Sequence, residues 1–172
     1  MKRTAVAIGI ASAATVLVWT DAQACGDKFL VVGRGVRYQR VHPAAHPGSI
    51  LIYMKPGSQV PAAAKEIQLQ SSLKRAGHKV DTVENAARLQ DALKSVKYDL
   101  VLADIADSAA LERQVGSEPS MPAVVPVLYR PTGDEMAAAQ KQYGCAIKVP
   151  SKDYLAAIDD VMLQRLRTAK GR

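Results

Sequence analysis

Cysteine and aromatic residues are scarce in this sequence. Among its 172 residues there are two cysteines, and aromatic residues make up 5%. The cysteines form no CxxC or CxxCH motif, and no His/Cys cluster has zinc-site spacing, which excludes the common thiol-redox, c-type haem and structural zinc motifs. His42 and His46 each precede a proline in a linker-like run, where loop residues are expected before metal ligands. We therefore predict no cofactor and no metal site.

The longest apolar run lies at the N-terminus. Lys2 and Arg3 precede the segment AVAIGIASAATVLVW, and AQA at 22–24 has the small-x-small pattern of a cleavage site. This order is typical of a secretory signal peptide. The alternative is a membrane anchor, but the run is shorter than the ~20 residues that span a bilayer. We expect residues 1–24 to be a signal peptide, the mature protein to be periplasmic or secreted, and no membrane span.

The charge of the mature chain is moderate and dispersed. The whole chain carries +7, and the first 24 residues contain two basic residues and one acid, so the remaining 148 carry +6. The basic residues are scattered and have few aromatic neighbours, so we expect no nucleic acid partner. A chain of this length is enough for one domain with its own core.

The two cysteines, Cys25 and Cys145, have three alternative fates in an exported protein. In an oxidising compartment an even pair predicts one disulfide. Cys25 directly follows the predicted cleavage site and is a candidate for a lipid anchor, although Ala22 stands where that signal usually has a larger aliphatic residue. The third alternative is a buried Cys145 that acts as a small hydrophobic residue.

Residues 25–48 differ in character from residues 49–172. The first part holds KFLVVGRG and then a run rich in Arg, Pro and His, which predicts an N-terminal arm or linker. In the second part, apolar runs of strand length alternate with helical patterns. The strand candidates are SILIYM, HKVDTVE, YDLVLAD, AVVPVLY and CAIKVP. This alternation predicts one α/β domain with a doubly wound, five-stranded parallel sheet.

Four local signals refine this pattern. The spacing of leucines predicts one helix over Pro61–Ala76. Asp107 is expected to cap a short helix, and Thr132–Glu135 has the pattern of a capping box. Pro126 removes a hydrogen-bond donor from its strand, which predicts an irregular or edge-like strand there.

Three segments together carry a likeness to a known family. They are SILIYM, LKRAGHKVDTVENAARLQDALKSVKYDLVLADI and AIKVPSKDYLAAIDDVM. The middle one is the most specific, with a helix ending in Ala-Gly, a strand, a helix and then Tyr-Asp-Leu-Val-Leu-x-Asp. From about Ser49 to Met162 the chain resembles a response-regulator receiver domain. The resemblance implies a flavodoxin-like fold with strand order 2-1-3-4-5.

The resemblance also implies where phosphotransfer residues would lie. Receiver domains transfer a phosphoryl group to an aspartate at the tip of the third strand, and an acidic pair after the first strand holds Mg²⁺. Asp104 falls on the phosphoacceptor position and Lys148 on that of the family's lysine. Met54 and Lys55 stand in place of the acidic pair, and they offer Mg²⁺ no oxygen ligand.

Two further positions depart from the family pattern. Tyr129 or Arg130 falls where the family has a Ser or Thr after the fourth strand. Val149 separates Lys148 from Pro150, which are adjacent in the family pattern. Both departures argue against phosphotransfer chemistry.

Asp104 therefore has three interpretations. It is a phosphoacceptor, or a former phosphoacceptor that is ion-paired with Lys55 or Lys148, or a cap of the next helix that accepts backbone donors. The missing acidic pair and the expected export disfavour the first. We expect a former phosphoacceptor position, no catalytic residue and no enzyme activity.

Two functions remain open. The resemblance implies a protein-interaction or sensory module that works without phosphorylation, with a protein partner on a face that contains Tyr129 and Tyr143. The alternative is a binder of a small anionic ligand, because doubly wound sheets bind ligands at the carboxyl ends of their strands. Lys55, Arg130 and Lys148 are predicted to lie there.

Overall fold

The computed structural model describes residues 43–116 and 121–170, in which strands and helices alternate. The strands are β1 (Ser49–Tyr53), β2 (Lys79–Val83), β3 (Leu100–Asp104), β4 (Ala123–Tyr129) and β5 (Ile147–Val149). The helices are α1 (Val60–Glu66), α2 (Leu69–Ala76), α3 (Ala86–Ser95), α4 (Ile105–Val115), α5 (Gly133–Tyr143) and α6 (Tyr154–Lys170). The predicted signal peptide and residues 25–42 of the predicted arm lie outside the described residues.

The five strands form one parallel sheet in the order β2-β1-β3-β4-β5. The predicted fold class and strand order are confirmed. β3 is the central strand, and all five of its residues are buried. Because the strands are parallel, the loops that follow them share one side of the sheet, which we call the carboxyl edge. The opposite side, where the strands begin, is the amino edge.

Helices cover both faces of the sheet. In β1, Ile50 and Ile52 face one core cluster, which includes buried residues of α1, α2 and α6. Leu51 and Tyr53 face a second cluster with buried residues of α3 and α4. A continuous apolar strand is therefore required, because successive side chains point to opposite faces and both faces are buried.

The helix predicted over Pro61–Ala76 is broken into α1 and α2, so the prediction of one helix is wrong. Gln68 lies at the break with a φ of 48°, in the left-handed region. The hydroxyls of the two serines that follow donate to carbonyl groups at the break. The Ser71 hydroxyl donates to the Gln68 carbonyl at 2.9 Å, and the Ser72 hydroxyl to the Ile67 carbonyl at 3.4 Å. Leucine spacing did not reveal these local hydrogen bonds.

β4 is an interior strand, but its stretch at Pro126 is edge-like, as predicted, because Pro126 has a ladder partner on one side only. β4 pairs with β3 on one side, where Pro126 is in register with Ala103. On the other side its ladder with β5 begins only at Val127, opposite Ile147. The shortness of β5 leaves no ladder position opposite Pro126 on that side, and this explains why a proline is tolerated.

The two sides of the sheet are unequally covered. Leu89 is the one buried residue among the ten of α3, while Ala92 and Leu93 are partly buried. In α2, of eight residues, four are buried. Few buried apolar side chains therefore hold α3 against the sheet, and we call this region the β2–α3 end.

Within residues 43–116 and 121–170, no helix combines the length and the apolar character that crossing a bilayer requires.

The segment before β1 is anchored to the domain near a buried histidine. The Ala44 amide donates to the Ala76 carbonyl at 2.8 Å, and the Gly48 amide to Nδ1 of His78 at 3.2 Å. His78 is 5% exposed. Burial lowers the pKa of its imidazole, against the opposing effect of the Asp159 charge.

We expect stability to fall when the pH drops below about 6.5, the pKa of an unfolded histidine. The pKa of His78 is lower in the folded state, so the unfolded state binds more protons in this window. The free energy of unfolding therefore decreases as the pH falls. Urea unfolding at about pH 7.5 and about pH 5.5 measures the change. His78→Gln keeps an acceptor for the Gly48 amide and removes the titration. Equal pH dependence in the two proteins would contradict the prediction.

Candidate functional site

The loops after β1, β3 and β4 meet at the carboxyl edge. Parallel pairing requires this, since Ile52 is in register with Leu102 and Leu102 with Val125. The loops carry polar and charged side chains above a buried apolar sheet. Crevices at this edge are the usual ligand sites of such sheets, so this is the candidate functional site.

Asp104 ends β3 at this edge and is 6% exposed. Its Oδ1 accepts a hydrogen bond from the Ala106 amide at 3.0 Å, so that Asp104 is the N-cap of α4. Its Oδ2 accepts from the Gln59 amide at 2.7 Å. The prediction that Asp107 caps this helix is wrong, because Asp107 lies within its first turn. Both carboxylate oxygens of Asp104 accept hydrogen bonds from backbone amides. Of the three interpretations of this residue, these contacts match that of a helix cap that accepts backbone donors.

Lys55 is paired with Asp107. Its Nζ lies 2.7 Å from Oδ1 of Asp107, and both side chains are solvent-accessible. The hydrogen bond from Lys55 to this carboxylate and the charge of Asp107 raise the pKa of Lys55. The hypothesis that Lys55 pairs directly with Asp104 is therefore wrong. Asp107 is near enough to the N-terminus of α4 to gain from the helix dipole as well.

Gln59 connects three loops, and sequence reasoning missed it. Its amide donates to Asp104, and its Oε1 accepts from the Tyr129 amide at 3.3 Å. The loop before it is closed by the Ser58 amide and hydroxyl, which both donate to the Lys55 carbonyl. Nothing in the local sequence signals this role, because Gln59 acts through residues far along the chain.

Tyr129, Arg130 and Glu66 form a second group at the same edge, which we call the tyrosine–arginine cluster. Nη2 of Arg130 lies 3.4 Å from Oε1 of Glu66, and its guanidinium carbon lies 5.1 Å from the centroid of the Tyr129 ring. The interaction with Glu66 raises the pKa of the Tyr129 hydroxyl. The hydrogen bond with Tyr129, and then the hydrogen bond and charge of Arg130, lower the pKa of the Glu66 carboxyl.

The backbone of Arg130 is unusual. Its φ is 52°, in a region that side chains other than glycine rarely adopt. Its amide donates to the Val149 carbonyl at 2.6 Å, which ties the end of β4 to the end of β5. This bond holds the strained residue in place and projects its side chain, 65% exposed, from the carboxyl edge. Such strain is concentrated at functional positions in proteins.

The other two predicted surface residues lie in different places. Lys148 is exposed on β5, in register with Leu128. Its side chain therefore points to the α5 face of the sheet, opposite the face on which Tyr129 and Val149 pack. Among the described residues, Lys148 forms no ion pair with Asp104, whose carboxylate oxygens accept from the Ala106 and Gln59 amides. Tyr143 ends α5 and lines a groove at the amino edge. The predicted interaction face is therefore divided, with Tyr143 on the opposite side of the sheet from Tyr129.

The predicted disulfide and the lipid anchor both involve Cys25, which lies outside the described residues. Cys145 is 6% exposed and precedes β5 at the amino edge. It belongs to the core cluster that includes α6. The pairing of Cys25 with Cys145 remains a prediction.

Over the ranges 43–116 and 121–170, no three His, Cys, Asp or Glu side chains lie together as a metal site would require.

Comparisons with known proteins give no family assignment. No protein-family model matches the chain, and no curated protein matches it in sequence.

We expect Asp104→Asn to destabilise the protein by about 1–3 kcal/mol. An amide has one carbonyl oxygen, so its NH₂ group would face one of the two backbone donors and leave it without an acceptor. The free energy of unfolding from urea denaturation measures the loss.

Asp107→Asn is the matched control for that change. It breaks the exposed pair with Lys55 and leaves the hydrogen bonds of Asp104 intact. We expect a clearly smaller loss of stability, because exposed ion pairs contribute little. Equal stabilities of Asp104→Asn and the parent protein would show that the two backbone hydrogen bonds do not stabilise the fold.

Proposed function

We propose that this chain is an exported, receiver-like protein-interaction or sensory module that works without phosphorylation. The observation that supports it most directly is the environment of Asp104. The carboxylate is 6% exposed, and each of its oxygens accepts a backbone hydrogen bond. A phosphoacceptor needs an oxygen that can attack a donor. Phosphorylation of Asp104 would displace the cap of α4 or the Gln59 amide.

The neighbours of Asp104 also argue against Mg²⁺-dependent phosphotransfer. Met54 and Lys55 stand where the family has acids, and the Lys55 ammonium is held by Asp107. Mg²⁺ needs oxygen ligands and would meet a positive charge at this position. The arrangement therefore favours a function that uses the fold and its surface.

The tyrosine–arginine cluster is the proposed interaction surface. Tyr and Arg are enriched among residues that dominate binding energy in protein interfaces. Arg130 projects from a strained backbone position, and its stacking on Tyr129 and its pair with Glu66 fix its direction. A pre-oriented side chain loses less entropy when a partner binds.

Binding of a small anion is the weaker alternative. Of its three predicted cations, Lys55 and Arg130 already have the carboxylates Asp107 and Glu66 as partners. An anion would have to compete with these groups or rely on Lys148. A protein partner can bind this surface without displacing Asp107 or Glu66 from its basic partner.

Export is part of the proposal and rests on the sequence. Residues 1–24 have the order of a signal peptide, and a periplasmic or secreted location separates Asp104 from cytoplasmic ATP and kinases. This location is consistent with a receiver-like domain that has lost its acidic pair.

We expect no phosphorylation of the purified protein by a small acyl phosphate donor with Mg²⁺. Intact-mass spectrometry measures any gain of a phosphoryl group, and a functional receiver domain under the same conditions is the positive control. A phosphoryl group mapped to Asp104, and absent in Asp104→Asn, would overturn the proposal that the module works without phosphorylation.

The interaction surface is testable by site-specific crosslinking in cells that produce the full chain. A photoreactive residue at Lys65, exposed and adjacent to Glu66 of the tyrosine–arginine cluster, should give a discrete protein adduct that Tyr129→Ala weakens. The same probe at Arg88, exposed on α3, is the matched control. Equal adducts from both positions would contradict the assigned surface. Saturable calorimetric binding of inorganic phosphate that Lys148→Ala abolishes would favour the anion-binding alternative.

A further inference from the structure

A groove of about 560 Å³ lies at the amino edge, on the opposite side of the sheet from Asp104. Its lining comes from the end of α4, the start of β4, the end of α5 and one side of α6. The candidate site at the carboxyl edge does not use it. Its volume is in the range of pockets that enclose ligands, roughly 300–1,000 Å³.

The groove has an apolar floor and a polar rim. Apolar residues that line it include Ala123, Val124 and Val161. Met121 lies on it and is 41% exposed, one of three large apolar side chains that stand out among the described residues. Exposed apolar surface rimmed by polar residues often marks an interaction site.

The described residues also show where the rest of the chain approaches. Residues 43–48 lead into β1, so the arm reaches the domain at the amino edge. In the sheet order, β1 and β5 are three strand spacings apart, or about 15 Å. Cys25 and Pro43 are 18 positions apart. An extended chain of that length reaches up to about 60 Å, which is ample.

The chemistry of the arm fits the groove and the path to it. Residues 29–32, Phe-Leu-Val-Val, are an apolar segment suited to the floor. Residues 25–42 contain four basic residues and one acid, a net charge of +3. The groove lining holds one acid, Glu112, and one basic residue, Arg165, and Asp99 is exposed just before β3. Cys145 lines the groove and is the only cysteine besides Cys25.

We propose that the groove at the amino edge is the docking site for the chain's own residues 25–42, with Phe29–Val32 on its floor and a disulfide between Cys25 and Cys145. The tether favours this occupant over a second copy, because a short flexible link gives an effective concentration on the order of millimolar. Docking would cover Met121 and close a loop of more than 100 residues, which the chain-entropy model makes stabilising. The inference is independent of the proposed function of the carboxyl edge.

The first test is the covalent link. The full chain is exported into an oxidising compartment, purified and digested without reduction. We expect a peptide that joins Cys25 to Cys145 within a monomer. Two separately alkylated thiols, a diacylglyceryl mass on Cys25, or a link between two chains in a dimer fraction would overturn the assignment.

The second test is docking itself, measured by hydrogen exchange of the amides of Phe29–Val32. Met121→Arg places a charge on the rim of the groove and should speed this exchange by about tenfold. Val96→Arg is the matched control, because Val96, which follows the end of α3, is 46% exposed and lies outside the groove. It should leave the exchange unchanged, and the amides of β3 should stay protected in both variants. Equal exchange of Phe29–Val32 in the parent and in Met121→Arg would overturn the docking site, even with the disulfide present.

Discussion

The carboxyl edge depends on one carboxylate that serves two backbone donors. Asp104 ends the central strand, and its two oxygens hold the first turn of α4 and the start of α1. Gln59 extends this connection to β4 through the Tyr129 amide. Three loops that follow three strands are therefore fixed relative to one another by neutral donors around a buried acid. A buried carboxylate without such partners would be costly, so these hydrogen bonds explain why an acid is retained at the tip of β3.

The charges at this edge are arranged in pairs. Lys55 with Asp107 and Arg130 with Glu66 each match a cation to a carboxylate, and Asp104 is stabilised by amides. A site for phosphoryl transfer has the opposite character, since it gathers acids around a metal and leaves the acceptor oxygen accessible. At this edge the charges of Lys55 and Arg130 are already neutralised by neighbouring carboxylates. Pairs of this kind contribute more to the direction and specificity of contacts than to stability.

The sequence was sufficient for the sheet and for the position of Asp104, and insufficient for its partners. Apolar runs alternating with helical patterns predicted the parallel sheet, because crossover connections are the usual way to join its strands. The strand order itself was implied by the resemblance to receiver domains. The capping box at Thr132 was also predictable, since all its atoms lie within four residues. The Gln59–Asp104 bond joins residues 45 positions apart, and no local pattern contains it. The break at Gln68 was missed although its hydrogen bonds are local, because the spacing of leucines alone does not report them.

The small buried apolar surface of α3 affects both the local stability of the domain and the substitutions that this helix can accept. Leu89 provides most of the burial of this helix, and β2 is an edge strand with one ladder. Regions with few buried apolar contacts open by local unfolding at a lower free energy than the rest of a fold. The β2–α3 end is thus the part of the described domain that can loosen while β1, β3, β4 and β5 remain intact. Its exposed helical face can also accept substitutions that the carboxyl edge, with its linked loops, cannot.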